Sequence, residues 1–358
     1  MKRIDTMRIG IIGAGASGLL LATKLEKLNI DYMLFNKGKV GRKILASGNG
    51  KCNISNEKIF DEAYHNNPLA LKIVKENQKC LFDYFSSLHI YTKTDNEGRM
   101  YPISESSQSV LNILLKNISK KVIDIEVDSI KKHKNEYYIN EGYGPFDKIV
   151  IATGSIASFK RPYYNYDYLD MLEIKHKPFL PSLVGFMTNR KIKVLSGVRQ
   201  KAMVSLYQKD KLIHSEYGEI ILKDNGISGI VILNMSSYYN QLSSKANCYL
   251  DIDFSYQMDY QDTESIINPK LYEYIKENHI SIHHFQLPIT GLYDFEFAQV
   301  ASGGVLIDEI DSNLRLKKDK NIFLAGEVLD VDGLCGGYNL MFAFSCAILI
   351  AKEIENEI

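Results

Sequence analysis

The chain has 358 residues, 45% of them hydrophobic, which is enough for two or three domains with packed cores. Its 43 Lys and Arg balance 43 Asp and Glu, so no global field draws it to a nucleic acid or an anionic membrane, and a small-molecule substrate is the expected partner. The five cysteines, Cys52, Cys80, Cys248, Cys335 and Cys346, are scattered without a CxxC pair or a His/Cys cluster, which argues for a reducing compartment and against any metal site.

No secretory leader pattern and no membrane-length apolar run is present, so a cytoplasmic protein is expected. Self-similarity at periods of roughly 20 to 50 residues is absent, which sets repeat architectures aside.

The first strong motif follows a short apolar strand, Arg8 to Ile12. It reads Gly13-Ala14-Gly15-Ala16-Ser17-Gly18 and runs into Leu19, Leu20, Ala22, Leu25 and Leu28 at helical spacing. Gly13 permits the tight turn, Gly15 the approach of a pyrophosphate, and Gly18 the close packing of helix on strand. The helix N-terminus adds unpaired N–H groups and a favourable dipole. This order predicts a dinucleotide site.

The next strand, Asp31 to Phe35, ends at Asn36 where the fingerprint carries an acidic residue for the adenosine ribose. An amide accepts one hydroxyl and donates to another, so ribose binding is expected at Asn36. Lys37 and Lys39 raise a rival, a 2′-phosphate and hence NADP; a solvated turn is the preferred reading.

Residues 41 to 53, GRKILASGNGKCN, suit neither a packed helix nor an alternating strand, because glycines and polar residues fall at both periods. A helix begins at Asn67-Pro68, with Leu71, Val74, Leu81 and Phe85 forming an ordinary core face. Phe146 to Ala152 reads as a strand closed by Ala152-Thr153-Gly154.

From about Pro178 to Phe254 short runs at Ala202 to Tyr207, Glu219 to Leu222, Ile230 to Leu233 and Cys248 to Phe254 predict antiparallel strands. Asn268-Pro269 then offers an N-cap with proline at the first helical position, launching a helix to Asn278. His279, His283 and His284 lack a carboxylate or cysteine at ligand spacing and read as solvated or packed side chains.

Near the end, Asn321 to Ala325 is a strand closed by Gly326-Glu327. Gly336-Gly337-Tyr338-Asn339-Leu340 opens a final apolar helix through Met341, Phe344, Ile348 and Ala351. Such a helix start is where a flavin's N1/O2 edge would gain from a positive dipole on reduction.

GAGASGL, GRKILASGNGKCN, IVIATGS, EIILKDNGISGIVILNMSS at 219 to 237, VASGGV at 300 to 305 and FLAGEVLDVDGLCGGYNL at 323 to 340 together resemble the motifs of the bacterial aminoacetone oxidase family of FAD-binding enzymes. The resemblance implies that the 41 to 53 loop lies along the FAD. Arg42 and Lys43 are then candidates for the pyrophosphate, Ser47, Gly48, Asn49 and Cys52 for the isoalloxazine side, and Gly41 and Asn53 for further cofactor contacts. It also places cofactor contacts at Val127, Ala152, Thr153, Gly154, Gly326, Glu327, Gly337, Tyr338, Asn339 and Leu340. Glu327 would take a ribityl hydroxyl. No catalytic residue is assigned; Cys52, Cys335, Tyr338 and Asn339 are flavin-adjacent candidates.

The implied architecture is α/β. It has a Rossmann-like FAD-binding domain of the glutathione-reductase kind over 1–165 and 292–358, an inserted antiparallel β-domain over 178–258, and a reduced helical segment over 259–291. Two departures concern substrate: Phe159 to Tyr168 is dense in tyrosine where relatives have a glycine-rich stretch, and Lys223-Asp224-Asn225 replaces a Thr-His-Phe. The expected activity is oxidoreduction of a small organic molecule by hydride transfer to or from flavin N5. It takes the form of either amine oxidation with O2 or reduction of an enone or ring C=C as among bile-acid-reducing relatives, with NAD(P)H a donor to be tested. A flavin-dependent RNA-modifying protein and a non-catalytic flavin sensor are the alternatives.

Overall fold

The computed structural model describes residues 7–160, 166–190, 192–255 and 264–358. Their contacts divide into two units, one of residues 7–156, 166–179 and 303–358, the other of 157–160 and 180–302. The strands His176–Ser182 and Val300–Val305, which carry the chain from one unit to the other, pair with each other. The second unit runs to residue 302, ten residues past the boundary at 292 expected from sequence.

The first unit is built on a six-stranded sheet in the order Arg315–Leu316, Asp319–Leu324, Lys148–Ile151, Arg8–Ile12, Asp31–Asn36, Ile123–Asp124. Every neighbouring pair is parallel except the first, a hairpin at the edge. After their first residues, Arg8 and Lys148, the two central strands are apolar and buried, as parallel strands covered on both faces must be. The predicted strand from Phe146 to Ala152 is two strands in two sheets. Tyr143–Phe146 ends a three-stranded meander with Ile130–His133 and Glu136–Ile139, and Lys148–Ile151 enters the parallel sheet. The break falls at Asp147, whose carboxylate accepts the Arg8 N–H at 2.7 Å.

The helix Ala16–Lys27 packs on this sheet, Tyr338–Glu355 packs on that helix, and Pro68–Ser87 packs in turn on Tyr338–Glu355. Pro68–Ser87 starts as its sequence dictates, with Asn67 Oδ1 accepting the N–H groups of Leu69 and Ala70, both at 3.1 Å. The last helix is buried along most of its length, so it carries almost no polar stripe.

The second unit is a closed barrel of six strands, in the order Phe186–Thr188, Gly226–Ser228, Lys211–Lys223, Arg199–Gln208, Cys248–Asp253, Phe285–Leu292. Closure removes the exposed edges an open sheet would leave. The run Ile230 to Leu233, expected as a strand, is instead the first turn of the helix Ile230–Gln241, which buries Val231, Ile232 and Met235 in the barrel core. A four-residue apolar run carries no period that separates the two states. The helix Pro269–Glu277 forms behind its Asn268 cap as expected. Residues 161–165 of the tyrosine-dense stretch and 259–263 of the expected helical segment lie outside the described residues.

Candidate functional site

The parallel register sets Ile12 beside both Phe35 and Ile151, and Ile151 beside Leu324. The residues that follow these strands therefore converge at one edge of the sheet: Gly13 to Gly18, Asn36, Ala152 to Gly154, and Gly326 with Glu327. Ligands of open α/β sheets bind at this carboxyl edge.

Three glycines of the turn have distinct tasks. Gly13 has φ +108°, and a Cβ there would lie 2.2 Å from the Ala152 oxygen. One on Gly18 would lie 1.8 Å from the Gly13 oxygen. Both positions are closed by protein. A Cβ on Gly15 would meet nothing within 4 Å, and the same holds at Gly154 on the neighbouring strand end. Open space at these two positions, beside the N-terminus of Ala16–Lys27, fits the phosphates of a dinucleotide.

Ser17 and Asn36 depart from their expected roles. Ser17 is buried and its hydroxyl donates to the Ala343 carbonyl at 2.7 Å, so it joins the first helix to the last rather than facing a ligand. Asn36 Oδ1 accepts the Ala14 N–H at 2.9 Å and its Nδ2 donates to the Gly38 carbonyl at 2.9 Å. The amide holds the glycine turn in shape, which engages one lone pair and one N–H of the group expected to meet a ribose. Lys37 pairs with Glu126, and Asp124 accepts the Gly38 N–H at 2.9 Å. Lys37 is thus engaged by a carboxylate of the protein, in keeping with a turn rather than a 2′-phosphate site. Val127 is buried nearby.

The 41 to 53 loop is a short helix, Arg42–Ala46, followed by a reversed turn. Gly41 is anchored by its N–H to the Ala14 carbonyl at 2.9 Å, and Ser47 Oγ caps the helix end on the Ile44 carbonyl at 2.7 Å. Gly48 and Asn49 are both left-handed, with φ of 57° and 53°. Asn53 ties this loop to the final helix: in the amide orientation that its neighbours dictate, its Oδ1 accepts the Gly337 N–H at 3.1 Å and its Nδ2 donates to the Ser55 carbonyl at 2.9 Å. The loop and the helix start, some 280 residues apart in sequence, are thus brought together. The first N–H groups of Tyr338–Glu355 have no acceptor within an α-helix and carry its positive end.

The flavin-adjacent candidates fare unevenly. Cys52 is fully buried, and burial pushes its thiol up to about 11 although the Ser47 hydroxyl pulls the other way. It is a packed residue, not a nucleophile. Tyr338 is buried, its ring edge-on to Phe60 and Tyr64, its hydroxyl donating to the Lys58 carbonyl at 2.8 Å. Asn339 closes the preceding loop, its Oδ1 accepting the Gly333 N–H at 2.9 Å and its Nδ2 donating to the Gly333 carbonyl at 2.8 Å. These two side chains brace the helix start. Cys335 and Leu340 are half-buried at its rim.

Lys43 and Glu327, expected to hold different parts of the cofactor, are paired with each other. Ser155 joins them, accepting from Lys43 Nζ at 2.6 Å and donating to Glu327 Oε1 at 2.7 Å. Ser155 escaped the sequence reading, although it directly follows the Ala152-Thr153-Gly154 strand end. Arg42, at the first position of its helix, is part-buried, which lowers its pKa.

In the second unit, the 219 to 237 motif is explained by packing. Gly226 and Gly229 face the Phe186 and Glu219 oxygens at 2.1 and 2.4 Å from where a Cβ would be, so strand, turn and helix meet at contact distance. Asn225 of the Lys223-Asp224-Asn225 departure accepts the Tyr293 hydroxyl at 3.0 Å. His283 and His284, expected without carboxylate partners, face Asp253 at 3.5 Å and Asp251 at 3.0 Å across the sheet. Among the described residues no three His, Cys, Asp or Glu stand in a metal-ligating group, and no helix is long and apolar enough to cross a membrane.

A Rossmann-type parallel sheet with an open glycine cradle, a second helix start beside it and an inserted antiparallel barrel define an FAD-dependent oxidoreductase. Residues 7–353 match the family model described as HI0933-like protein Rossmann domain, and the chain belongs to that family. It is 27% identical to a 3-dehydro-bile acid delta(4,6)-reductase of Clostridium scindens, over 96% of this chain and 98% of that one. It is 25% identical to a ribosomal RNA dihydrouridine synthase of Haemophilus influenzae, over 97% and 98%. Among solved structures, a 3-ketosteroid delta1-dehydrogenase of Sterolibacterium denitrificans superposes with a TM-score of 0.54 at 10% identity, covering 99% of this chain and all of that one, a likeness of fold.

Proposed function

We propose that the chain is an FAD-dependent reductase that saturates a carbon–carbon double bond conjugated to a carbonyl. One observation carries this reading: two proteins similar over nearly the whole chain are named for a delta(4,6)-reductase and for a dihydrouridine synthase, and both names describe the loss of such a double bond. When bound, FAD supplies the hydride chemistry at N5. The chain's part is to hold it. The backbone of Gly13 to Gly18 and the Arg42 guanidinium would meet the pyrophosphate, Glu327 would accept a ribityl hydroxyl, and the N-terminus of Tyr338–Glu355 would face the N1/O2 edge. Amine oxidation, which the motif likeness to aminoacetone oxidases suggests, is the competing small-molecule reading.

A ribosomal RNA base is a second reading, favoured by the 25% identity to rRNA dihydrouridine synthases of Haemophilus influenzae and Escherichia coli. On the outer barrel face Tyr207 and Tyr249 stack at 5.3 Å, next to the exposed turn Lys209-Asp210-Lys211, whose two lysines outweigh its one carboxylate, a combination suited to a base and a phosphate. The deciding experiment mixes the flavin-loaded protein anaerobically with NADH or NADPH, then adds a conjugated enone, a primary amine in a separate oxidised sample, or rRNA. Reoxidation of the reduced flavin by the enone, or new dihydrouridine in the rRNA, supports reduction. Bleaching of the oxidised flavin by the amine alone would replace it with oxidation.

A further inference from the structure

The helices Ala16–Lys27, Pro68–Ser87 and Tyr338–Glu355 leave between them a cavity of about 450 Å³. It begins at Lys24 on the first helix and Ile348 on the last, roughly 12 Å and 15 Å along each axis from the helix starts that belong to the candidate site, so it is a separate place. Tyr84, 6% exposed, forms part of its floor. The Tyr84 hydroxyl donates to Thr23 Oγ1 at 2.9 Å, and its ring carries two ammonium groups, Lys24 Nζ at 4.0 Å and Lys27 Nζ at 4.6 Å from the centroid. Asn77, 5% exposed, donates through Nδ2 to the Ile73 carbonyl at 2.8 Å, which fixes the amide and leaves Oδ1 without a donor among the described residues. Lys27 Nζ donates to Ser87 Oγ at 2.9 Å, whereas Lys24 has no acceptor and no ion pair among the described residues. Burial lowers the Lys24 pKa; Glu355 opposes that shift, Lys27 adds to it and Cys80 opposes it. Around the cavity Lys24, Lys27 and Lys352 stand against Glu76 and Glu355, and neither carboxylate forms an ion pair among the described residues, so a positive excess remains.

We propose that this cavity is a second binding site, for a small oxyanion that also carries a hydroxyl, such as hydrogen phosphate or a hydroxycarboxylate. Lys24 and Lys27 hold the anionic oxygens by charge-assisted hydrogen bonds, and the ligand hydroxyl donates to Asn77 Oδ1. An anion lacking the hydroxyl leaves that buried acceptor unpaired and binds less well. The two lysines also lie in the last turn of Ala16–Lys27, where their charge offsets the negative helix end. Were that their whole role, the cavity would take up no anion.

Full-length wild type, Lys24→Gln, Lys27→Gln and Asn77→Ala are titrated calorimetrically with sodium phosphate and sodium lactate, and with sulfate and propionate, which lack the hydroxyl, all at one ionic strength set with chloride. Wild type should bind phosphate or lactate saturably and severalfold more tightly than the hydroxyl-free counterpart, and the tighter of the two names the kind of anion. Loss of one charge-assisted hydrogen bond predicts that Lys24→Gln and Lys27→Gln each bind about tenfold more weakly or worse. Asn77→Ala should bind the two members of a pair alike. An amine-acylating reagent, with the modified peptides read by mass spectrometry, should label Lys24 in the free protein and spare it in the presence of the bound anion; this measurement needs no variant and decides the matter where Lys24→Gln does not fold. Equal binding by wild type and Lys24→Gln would place the anion elsewhere, the open glycine cradle included, and overturn the assignment. Absence of saturable binding in wild type, or labelling of Lys24 unchanged by the anion, would overturn it as well and leave the lysines as charges that offset the helix end.

Discussion

At Gly15 the backbone is extended, φ −90° and ψ −157°, and a side chain would enter open space, whereas at Gly13 and Gly18 it would strike backbone oxygens. The three glycines of one motif should therefore separate experimentally. Gly15→Val is expected to melt within a few degrees of the wild-type apoprotein but to lose FAD, while Gly13→Ala and Gly18→Ala lower the melting temperature, Gly13→Ala through a strained backbone that costs about 1–3 kcal/mol and Gly18→Ala through the clash with the Gly13 oxygen. A Gly15→Val protein that keeps its yellow colour would remove the cradle from the site. The cysteines give a second residue-scale test. Cys80 is exposed and Cys52, Cys248 and Cys346 are buried, so a thiol reagent should label Cys80 rapidly and those three only on unfolding. Burial raises Cys52 from 9.0 to about 11 and Cys346 to about 12. A raised thiol favours the neutral form in the fold, so this contribution is whole below pH 9 and is lost as pH climbs through 11. Stability followed by denaturant between those values should fall, and in Cys52→Ala it should fall less.

Among the elements, the short strand Gly226–Ser228 shows why a motif that looks chemical is structural. It fills the place between Phe186–Thr188 and Lys211–Lys223 that closes the barrel, and at Gly229, φ +113°, the chain turns directly into Ile230–Gln241. Gly218, opposite, lies where a Cβ would be 2.7 Å from Val231 Cγ1, so helix and strand touch. Gly229→Ala must bear both a left-handed backbone and a contact at 2.4 Å with the Glu219 oxygen. Circular dichroism during thermal melting should show it destabilised by about 1–3 kcal/mol or more, whereas Ser228→Ala, half-buried in the same strand, should melt close to wild type. Equal melting of Gly229→Ala and wild type would mean that the turn is not held as described. The helix start at Tyr338 teaches a related lesson. Its N–H groups suit an anionic edge, yet its own side chain is a buried brace, so Tyr338→Phe should cost about 1 kcal/mol through the lost hydroxyl bond to Lys58 without changing the cofactor.

For the molecule as a whole, zero formal charge bears on the choice of substrate. If an rRNA is the substrate, attraction must come from local patches such as Lys209 and Lys211, and the logarithm of affinity should fall with the logarithm of salt by only about 0.7 for each phosphate met on a single strand. A steep slope equivalent to six or more phosphates would point to a basic surface that the described residues do not foreshadow. The sequence alone determined the parallel sheet, the glycine turn and the caps at Asn67 and Asn268, because each depends on residues close in the chain whose backbone demands are local. It could not tell the run Ile230 to Leu233 from a strand, since four apolar residues satisfy either period until the barrel supplies a core for one face. Nor could it see that Asn36 serves Ala14, that Asn53 reaches Gly337, or that Lys43, Ser155 and Glu327 share one hydrogen-bonded group. Those partners lie from 22 to some 280 residues apart, and only the tertiary structure decides whether a polar side chain is spent on its own backbone or left for a ligand.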